Sequence, residues 1–213
     1  INLPNADWIR KEHGSKSVTI DNITYAYDKA AQGNGFMEEF VLRAEDRERM
    51  EKNLAIAKSY AENFPKKRGN LLLIGTTGTG KTHISTAIAK EIIHQGFDVV
   101  YDSVQNIISD FEADKFKSGY GQTDTVADKY LECDLLIVDD LGTEFMSSFT
   151  QSVFYNIVNT RILNNHPTII NTNLSFAELE QRYTPRISSR FLGNYQMIKF
   201  FGTDIRQQKA LKK

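Results

Sequence analysis

The stretch GTTGTGKT, Gly75 to Thr82, decides how the rest of the chain is read. It fits G-x-x-x-x-G-K-[ST], a pattern that fixes four positions and arises by chance on the order of once in a hundred chains of this length. Flanking sequence must therefore separate a phosphate-binding loop from an ordinary glycine turn. Ahead of it, Asn70-Leu71-Leu72-Leu73-Ile74 is an apolar run of strand length, too short for a helix. Behind it, Ile84, Ala87, Ile88, Glu91 and Ile92 recur at spacings of three and four, forming one mostly apolar helical face from Lys81 to Gln95 that Gly96 ends. Strand, loop and helix stand in the order that anion binding requires, because the helix N-terminus then aims its free N–H groups and positive dipole end at the anion. Gly75, Thr76, Thr77, Gly78, Thr79, Gly80, Lys81, Thr82 and His83 are the expected nucleotide contacts. Among them Gly78 and Gly80 let the backbone turn and approach phosphate oxygens, Lys81 supplies a point charge for the β- and γ-phosphates, and Thr82 offers a hydroxyl to Mg²⁺.

A second constellation lies downstream. Asp134-Leu135-Leu136-Ile137-Val138 reads as a buried strand that runs into Asp139-Asp140, and carboxylates at the buried end of a sheet are costly unless they bind something. If that strand ends on the same edge as the phosphate loop, Asp139 can hold the Mg²⁺ shell and Asp140 can orient an attacking water, with Glu144 a reserve candidate for the base. The bare alternative, a polar loop that happens to start with two acids, loses ground once an independent phosphate loop precedes it. Asn173 closes a fourth strand, Pro167 to Asn173, and either reaches the γ-phosphate or the water, or caps the helix that begins Ser175-Phe176-Ala177-Glu178. Arg186 and Arg190 stand four apart on one helical face, and with few acids nearby they are candidates for an anion-directed role; Arg206 follows the last strand in the same manner.

The remaining pattern alternates strands and helices. Asp98-Val99-Val100-Tyr101 is the second strand, Gln196 to Phe201 the fifth, and a helix from about Phe149 to Leu163 turns Val153, Phe154, Ile157, Val158 and Ile162 inward. Such alternation indicates an α/β fold, a parallel sheet with helices on both faces. From Glu38 to Asn63 another helical stripe carries Met50, Leu54, Ala57 and Ala61, whereas residues 1–37 read as a poorly packed arm or the remnant of a missing N-terminal domain. The α/β domain is expected over 38–213. Phe111, Phe116 and Tyr120 interleave with Lys115 and Lys117, either to stack bases and track a phosphate backbone or to dock on the core as a loop.

Composition sets outer limits. The 213 residues are 40% hydrophobic, enough for one α/β domain with an appendage, and a formal charge of −1 argues against a wholesale polyanion-binding surface while allowing a local basic patch. One cysteine, Cys133, excludes an intrachain disulfide or a Cys-rich zinc cluster and reads as a buried filler, in keeping with a reducing cytoplasm. No apolar run is long enough to cross a bilayer and no signal peptide is visible, so a soluble cytoplasmic protein is expected. The chain begins at Ile1, which suggests that a natural N-terminal portion is missing.

The order GTTGTGKTH, LLIVDDLGTE, IINTNLS, RISSRF and TDIRQQKA resembles the AAA+ ATPase domain of DnaC-type bacterial helicase loaders, with the IstB-type transposition helper as a close relative. The resemblance covers roughly residues 38 to 213. It implies a five-stranded parallel sheet of order 5-1-4-3-2 with an abbreviated C-terminal lid. It also implies Lys81 and Thr82 as Walker A, Asp139 and Asp140 as Walker B, Asn173 as sensor 1, Arg190 as an arginine finger acting in trans after self-assembly, and Arg206 as sensor 2. The implied function is ATP and Mg²⁺ binding, hydrolysis to ADP, and loading of a replicative helicase on single-stranded DNA. The family's helicase-binding domain is N-terminal, and residues 1–37 are too short to be that domain intact. Two other readings stay open: an IstB-type helper acting on duplex DNA, and a nucleotide-gated binding protein with little turnover.

Overall fold

Leu71 and Leu73 lie on one side of the first strand, Leu72 and Ile74 on the other, and all four are buried. Only a sheet covered on both faces accommodates such a run. The structure, a computed structural model, describes residues 44–117 and 126–202. The expected N-terminal arm, Tyr120, Arg206 and the lid fall outside these residues, as do the side chains of Phe116 and Lys117. In chain order the elements are α1 (Ala44–Asn63), β1 (Asn70–Ile74), α2 (Lys81–His94), β2 (Val99–Ser103), α3 (Val104–Lys117), α4 (Asp128–Glu132), β3 (Leu135–Leu141), α5 (Ser148–Leu163), β4 (Thr168–Thr172), α6 (Phe176–Arg182), α7 (Pro185–Asn194) and β5 (Tyr195–Lys199). The five strands are all parallel and ordered β2-β3-β4-β1-β5, which is 5-1-4-3-2 read from the other edge.

Side-chain parity splits the core in two. Leu71, Leu73, Val99, Tyr101, Leu135, Ile137, Ile169 and Ile198 meet Met50, Ala57 and Ala61 of α1 and Ile84, Ile88 and Ile92 of α2. Leu72, Val100, Leu136, Val138 and Ile170 face α3, α5, α6 and α7 through Ile107, Phe154, Ile157, Leu179 and Phe191. Each fully buried aliphatic side chain contributes about 1.5–3 kcal/mol of transfer free energy, so the sheet is held from both sides.

Several boundaries differ from the sequence reading. β2 extends to Ser103 because Asp102, the residue at which the run turns polar, has its carboxylate occupied by Ser103 N at 2.8 Å, Asn106 Nδ2 at 2.8 Å and Tyr130 Oη at 2.9 Å. β3 continues through both acids to Leu141, with a register shift against β4 between Val138 and Leu141. β4 stops at Thr172, and β5 runs from Tyr195 to Lys199 instead of Gln196 to Phe201. The Phe111–Lys117 stretch is the last part of helix α3, not a loop. Phe111 stacks on Tyr130 with ring centroids 6.2 Å apart, and Lys115 lies over the Phe149 ring at 5.1 Å. Phe111 is thus a half-buried side chain that packs against the core.

Arg161 of α5, which the sequence reading passed over, is entirely buried. Its guanidinium donates to Thr168 Oγ1 (3.0 Å), to the carbonyls of Tyr130 (2.9 Å), Cys133 (3.0 Å) and Pro167 (2.7 Å), and to Cys133 Sγ (3.3 Å). All five N–H groups are used, tying the turn before β3 to the turn before β4. Burial pushes the Cys133 thiol up to about 11, against which the Arg161 charge works in the opposite direction. Two predictions follow from this staple. Arg161→Ala strands three buried carbonyls and should cost about 3 kcal/mol or more, a fall in Tm of roughly 6–12 °C that Arg161→Lys does not rescue because an ammonium cannot match the guanidinium fork. A Tm unchanged in thermal melts would overturn the staple. A disulfide reagent at pH 8 should label Cys133 only as fast as the chain unfolds, and immediate labelling of the native chain would contradict its burial.

Candidate nucleotide site

The phosphate-loop motif links the end of β1 to the first turn of α2. Gly78 (φ 77°) and Gly80 (φ 97°) take left-handed backbone conformations that side-chain-bearing residues rarely adopt. Gly75 is glycine for a different reason. A Cβ there would lie 2.6 Å from the carbonyl oxygen of Phe200, whose N–H donates to Ile74 O at 2.7 Å, so the first glycine lets β5 run close beside the loop. Gly80 caps α2 without a side-chain acceptor, whereas Ser147 and Ser175 cap α5 and α6 with their hydroxyls. The helix α2 thus starts directly from the loop, with no capping side chain at its N-cap.

Lys81 is buried and bends back over the loop, donating to Gly75 O at 2.5 Å and Thr76 O at 2.9 Å. Thr79 braces the turn through Thr76 O at 2.8 Å. Thr76, Thr77 and Thr82 are exposed, and His83 is partly so. The cradle formed by the glycines, the uncapped helix end and Lys81 fits a chain of phosphates. One threonine hydroxyl and one carboxylate fit Mg²⁺, which takes few protein ligands beside substrate phosphates; no larger acidic or histidine cluster occurs among the described residues.

That carboxylate is Asp139. Its Oδ1 lies 3.4 Å from Thr82 Oγ1 and accepts from Asn171 Nδ2 (3.0 Å) and Asp140 N (3.0 Å), while Oδ2 accepts from Tyr101 Oη at 2.8 Å. Ser85 of α2 accepts from Asn171 Nδ2 at 2.8 Å and stands 3.2 Å from Tyr101 Oη. Burial, then the Asp139 charge, pushes the Tyr101 phenol well above its ordinary value, so it stays protonated and donates. Sequence reading missed Tyr101, Ser85 and Asn171. The available signal was a polar residue inside an otherwise apolar strand, most plainly Asn171 in Thr168-Ile169-Ile170-Asn171-Thr172.

Asp140 sits beside this group, exposed, with φ 56°. Its left-handed backbone produces the irregularity in β3 and turns the next residues, Thr143 donating to Asp140 O through N (3.2 Å) and Oγ1 (2.9 Å). Asn173 stands exposed one residue beyond β4, and the cap of α6 is Ser175 in a capping box with Glu178, so the alternative of Asn173 as the cap is set aside.

Glu144 is buried and committed elsewhere. It accepts from Tyr183 Oη and from Gly142 N at 2.8 Å, its carbonyl accepts from Arg182 Nη2, and its carboxylate lies 3.6 Å from Arg182 Nε. A carboxylate so engaged is a poor reserve base, and it instead ties the turn after β3 to the end of α6. Arg190 lies on α7, against α5: Nε and Nη2 donate to Asn159 Oδ1, Nη2 to Tyr155 Oη at 2.9 Å, and Nη1 to Arg186 O at 2.9 Å, with the guanidinium carbon 4.5 Å from the Tyr155 ring centroid. None of its hydrogen bonds reaches the phosphate loop of its own chain, and Arg186 is exposed on the same helix.

Removing the Glu144 carboxyl orphans the buried Tyr183 hydroxyl. Glu144→Ala should lower stability by about 2 kcal/mol or more and Glu144→Gln, which still presents an oxygen, by less. Urea midpoints that rank the two variants the other way would refute the tie.

Comparison with known proteins places this site in a family. A family profile described as IstB-like ATP binding protein matches residues 37–195. The chain is 28% identical to the replicative helicase loader DnaC of Escherichia coli K12 over 148 residues, 69% of this chain and 60% of that protein. The matched region therefore spans less than two thirds of the relative's length. Among solved structures, AMPPCP-bound DnaA from Aquifex aeolicus superposes with a TM-score of 0.59 at 25% identity, covering 82% of this chain and 54% of that one. A crystal structure of the DnaC helicase loader superposes at 0.65 with 22% identity, over 77% and 95%, and shares the fold. With the phosphate loop, the two acids of β3 and the β2-β3-β4-β1-β5 sheet, the chain belongs to the IstB-like ATP-binding proteins and carries a P-loop ATPase domain of the AAA+ type.

Proposed function

We propose that the chain is the ATP-hydrolysing domain of a DNA replication protein that places or remodels a replicative helicase on single-stranded DNA. What supports this most is one observation: Lys81, Thr82, Asp139 and Asp140 converge at one end of the sheet in a chain similar to a replicative helicase loader. The likeness to a DnaA structure bound to AMPPCP supports nucleotide binding.

In this reading Lys81 exchanges the Gly75 and Thr76 carbonyls for β- and γ-phosphate oxygens, and the N–H groups of the loop and first turn of α2 cradle the phosphates. Thr82 and Asp139 would hold Mg²⁺, which when bound neutralises developing charge on the phosphates. Asp140, exposed beside Asp139, orients the attacking water and accepts its proton, and Asn173 hydrogen-bonds the γ-phosphate or that water. Arg190 stabilises transition-state charge at a neighbouring subunit, and Arg206 serves the nucleotide of its own chain. The helicase is contacted by a region outside the domain. Catalysis is then mostly positioning and charge stabilisation.

The description of the matching family favours a second reading, an IstB-type helper that remodels duplex DNA for a transposase. Turnover stimulated by single strands supports the loader, and turnover stimulated by duplex supports the helper. Pull-down of a replicative helicase with the full protein tests the partner directly.

Three variants test the chemistry. Lys81→Ala should abolish ATP binding in calorimetry, since loop N–H groups alone leave the phosphate charge poorly neutralised; unchanged affinity removes the assignment. Asp140→Asn should bind ATP and lose about 10²–10⁴ in turnover, because an amide cannot accept the proton. Arg190→Ala should bind ATP and lose on the order of 10³–10⁵ in rate. Mixed with Lys81→Ala it should regain part of the activity, the one supplying an intact pocket and the other an intact arginine. A mixture no more active than its components refutes action in trans.

A further inference from the structure

Asp139 is not merely near the site; it is clamped. Four elements send a polar side chain to one place: Tyr101 from β2, Asp139 from β3, Asn171 from β4 and Ser85 from α2, each at least nine-tenths buried. The arrangement depends on the irregularity in β3. Pairing with β4 holds from Leu136↔Thr168 through Val138↔Ile170 and resumes only at Leu141↔Thr172, so Asp139 and Asp140 occupy a break opposite Asn171.

The two carboxylate oxygens are held from different sides. Tyr101 Oη donates to Oδ2 at 2.8 Å, and Asn171 Nδ2 and Asp140 N donate to Oδ1, each at 3.0 Å. Oδ1 is also the oxygen next to Thr82 Oγ1. A carboxylate only accepts, so the Tyr101 proton points at Asp139, and the two hydrogens of Asn171 Nδ2 go to Asp139 and Ser85 Oγ. This fixes the Asn171 amide with its oxygen buried and unpartnered. An orphaned buried acceptor is costly, so the amide is held in this orientation by the two bonds that its nitrogen donates.

We infer that Tyr101 and Asn171 are positioning residues that orient Asp139 toward Thr82 as a preformed half-site for the divalent cation accompanying the nucleotide. Neither touches the phosphates; they act through the carboxylate, as hydrogen-bonding neighbours of metal ligands do, whose loss costs about 10- to 100-fold in metal affinity. The inference rests on the reading of Asp139 as the cation ligand.

The test is Mn²⁺ binding to the ADP-loaded chain, measured by electron paramagnetic resonance, beside calorimetry of ADP without divalent ions. Tyr101→Phe removes one oxygen, and Asn171→Ala removes both the donor and the orphaned oxygen; thermal melts confirm folding, and Tyr101→Phe suffices if Asn171→Ala is unstable. The expected result is Mn²⁺ affinity about tenfold or more weaker in Tyr101→Phe with metal-free ADP affinity unchanged. Equal Mn²⁺ affinity in the folded variant and the parent overturns the inference, as does a parallel loss of metal-free ADP affinity, which marks a general structural role. If the parent binds no Mn²⁺ with ADP, or Asp139→Ala binds as well as the parent, the underlying assignment of Asp139 fails instead.

Discussion

A carboxylate at the end of an apolar sheet must be solvated by the protein, and Asp139 is the point at which this chain meets that constraint. It ends the straight part of β3, the strand whose preceding residues Leu135 to Val138 are all buried. Water reaches it only in part, so β2, β4 and the neighbouring peptide each supply a donor. Those donors come from different elements, so the group forms only when three parallel strands and α2 are already packed. The same packing sets Thr82 beside the carboxylate and the phosphate loop beside both. Local site geometry and global topology are therefore one requirement, consistent with a fold whose ligands gather at the carboxyl ends of its strands.

How much of this was legible in the sequence follows from the range of each interaction. The phosphate loop, the flanking strand and helix and the pair Asp139-Asp140 are contiguous, and their reading agrees with the sheet and helices observed. The helix α5 was readable because Val153, Phe154, Ile157 and Val158 keep a helical period. The partners of Asp139 were not readable in this way. Tyr101 and Asn171 precede and follow it by 38 and 32 positions, and no local pattern links residues at such separations. In Ile169-Ile170-Asn171-Thr172-Asn173, strand alternation places both asparagines on one face. The sequence reading chose Asn173 because it closes the run, yet the strand stops at Thr172, leaving Asn171 as the buried one. Strand ends also moved where side chains satisfied polar backbone or carboxylate groups, as Asp102 does in β2. The Phe111–Tyr120 stretch shows the opposite limit, since an aromatic and basic composition does not reveal that Phe111 stacks on Tyr130 at the edge of the core.

Glu144 shows how the turn after β3 is connected to the helices beyond β4. Asp140 begins that turn with a left-handed backbone, Thr143 closes it, and Glu144 delivers a buried carboxylate to Tyr183 and Arg182 at the end of α6. Burial, then the Glu144 charge, raises the Tyr183 phenol above its ordinary value, which keeps it a donor across the neutral range. Tyr183 directly precedes Thr184, the cap of α7. A short covalent and hydrogen-bonded path therefore joins the exposed acid Asp140 to the helix that carries Arg190.

Two arginines in this domain are held by neutral acceptors, and they differ in how fully those acceptors engage the guanidinium. Arg161 is fully buried, and its five N–H groups all end on oxygen or sulfur of its own chain. Arg190 is half-buried; Asn159, Tyr155 and the Arg186 carbonyl take four of its five N–H groups, leaving one on Nη1. No carboxylate among the described residues pairs with it, so these partners fix its orientation without neutralising it. An acidic partner in place of Asn159 would hold the side chain as firmly and neutralise it. Neutral acceptors and a tyrosine face therefore position Arg190 without a carboxylate among the described residues to neutralise it, which distinguishes it from a salt-bridged arginine.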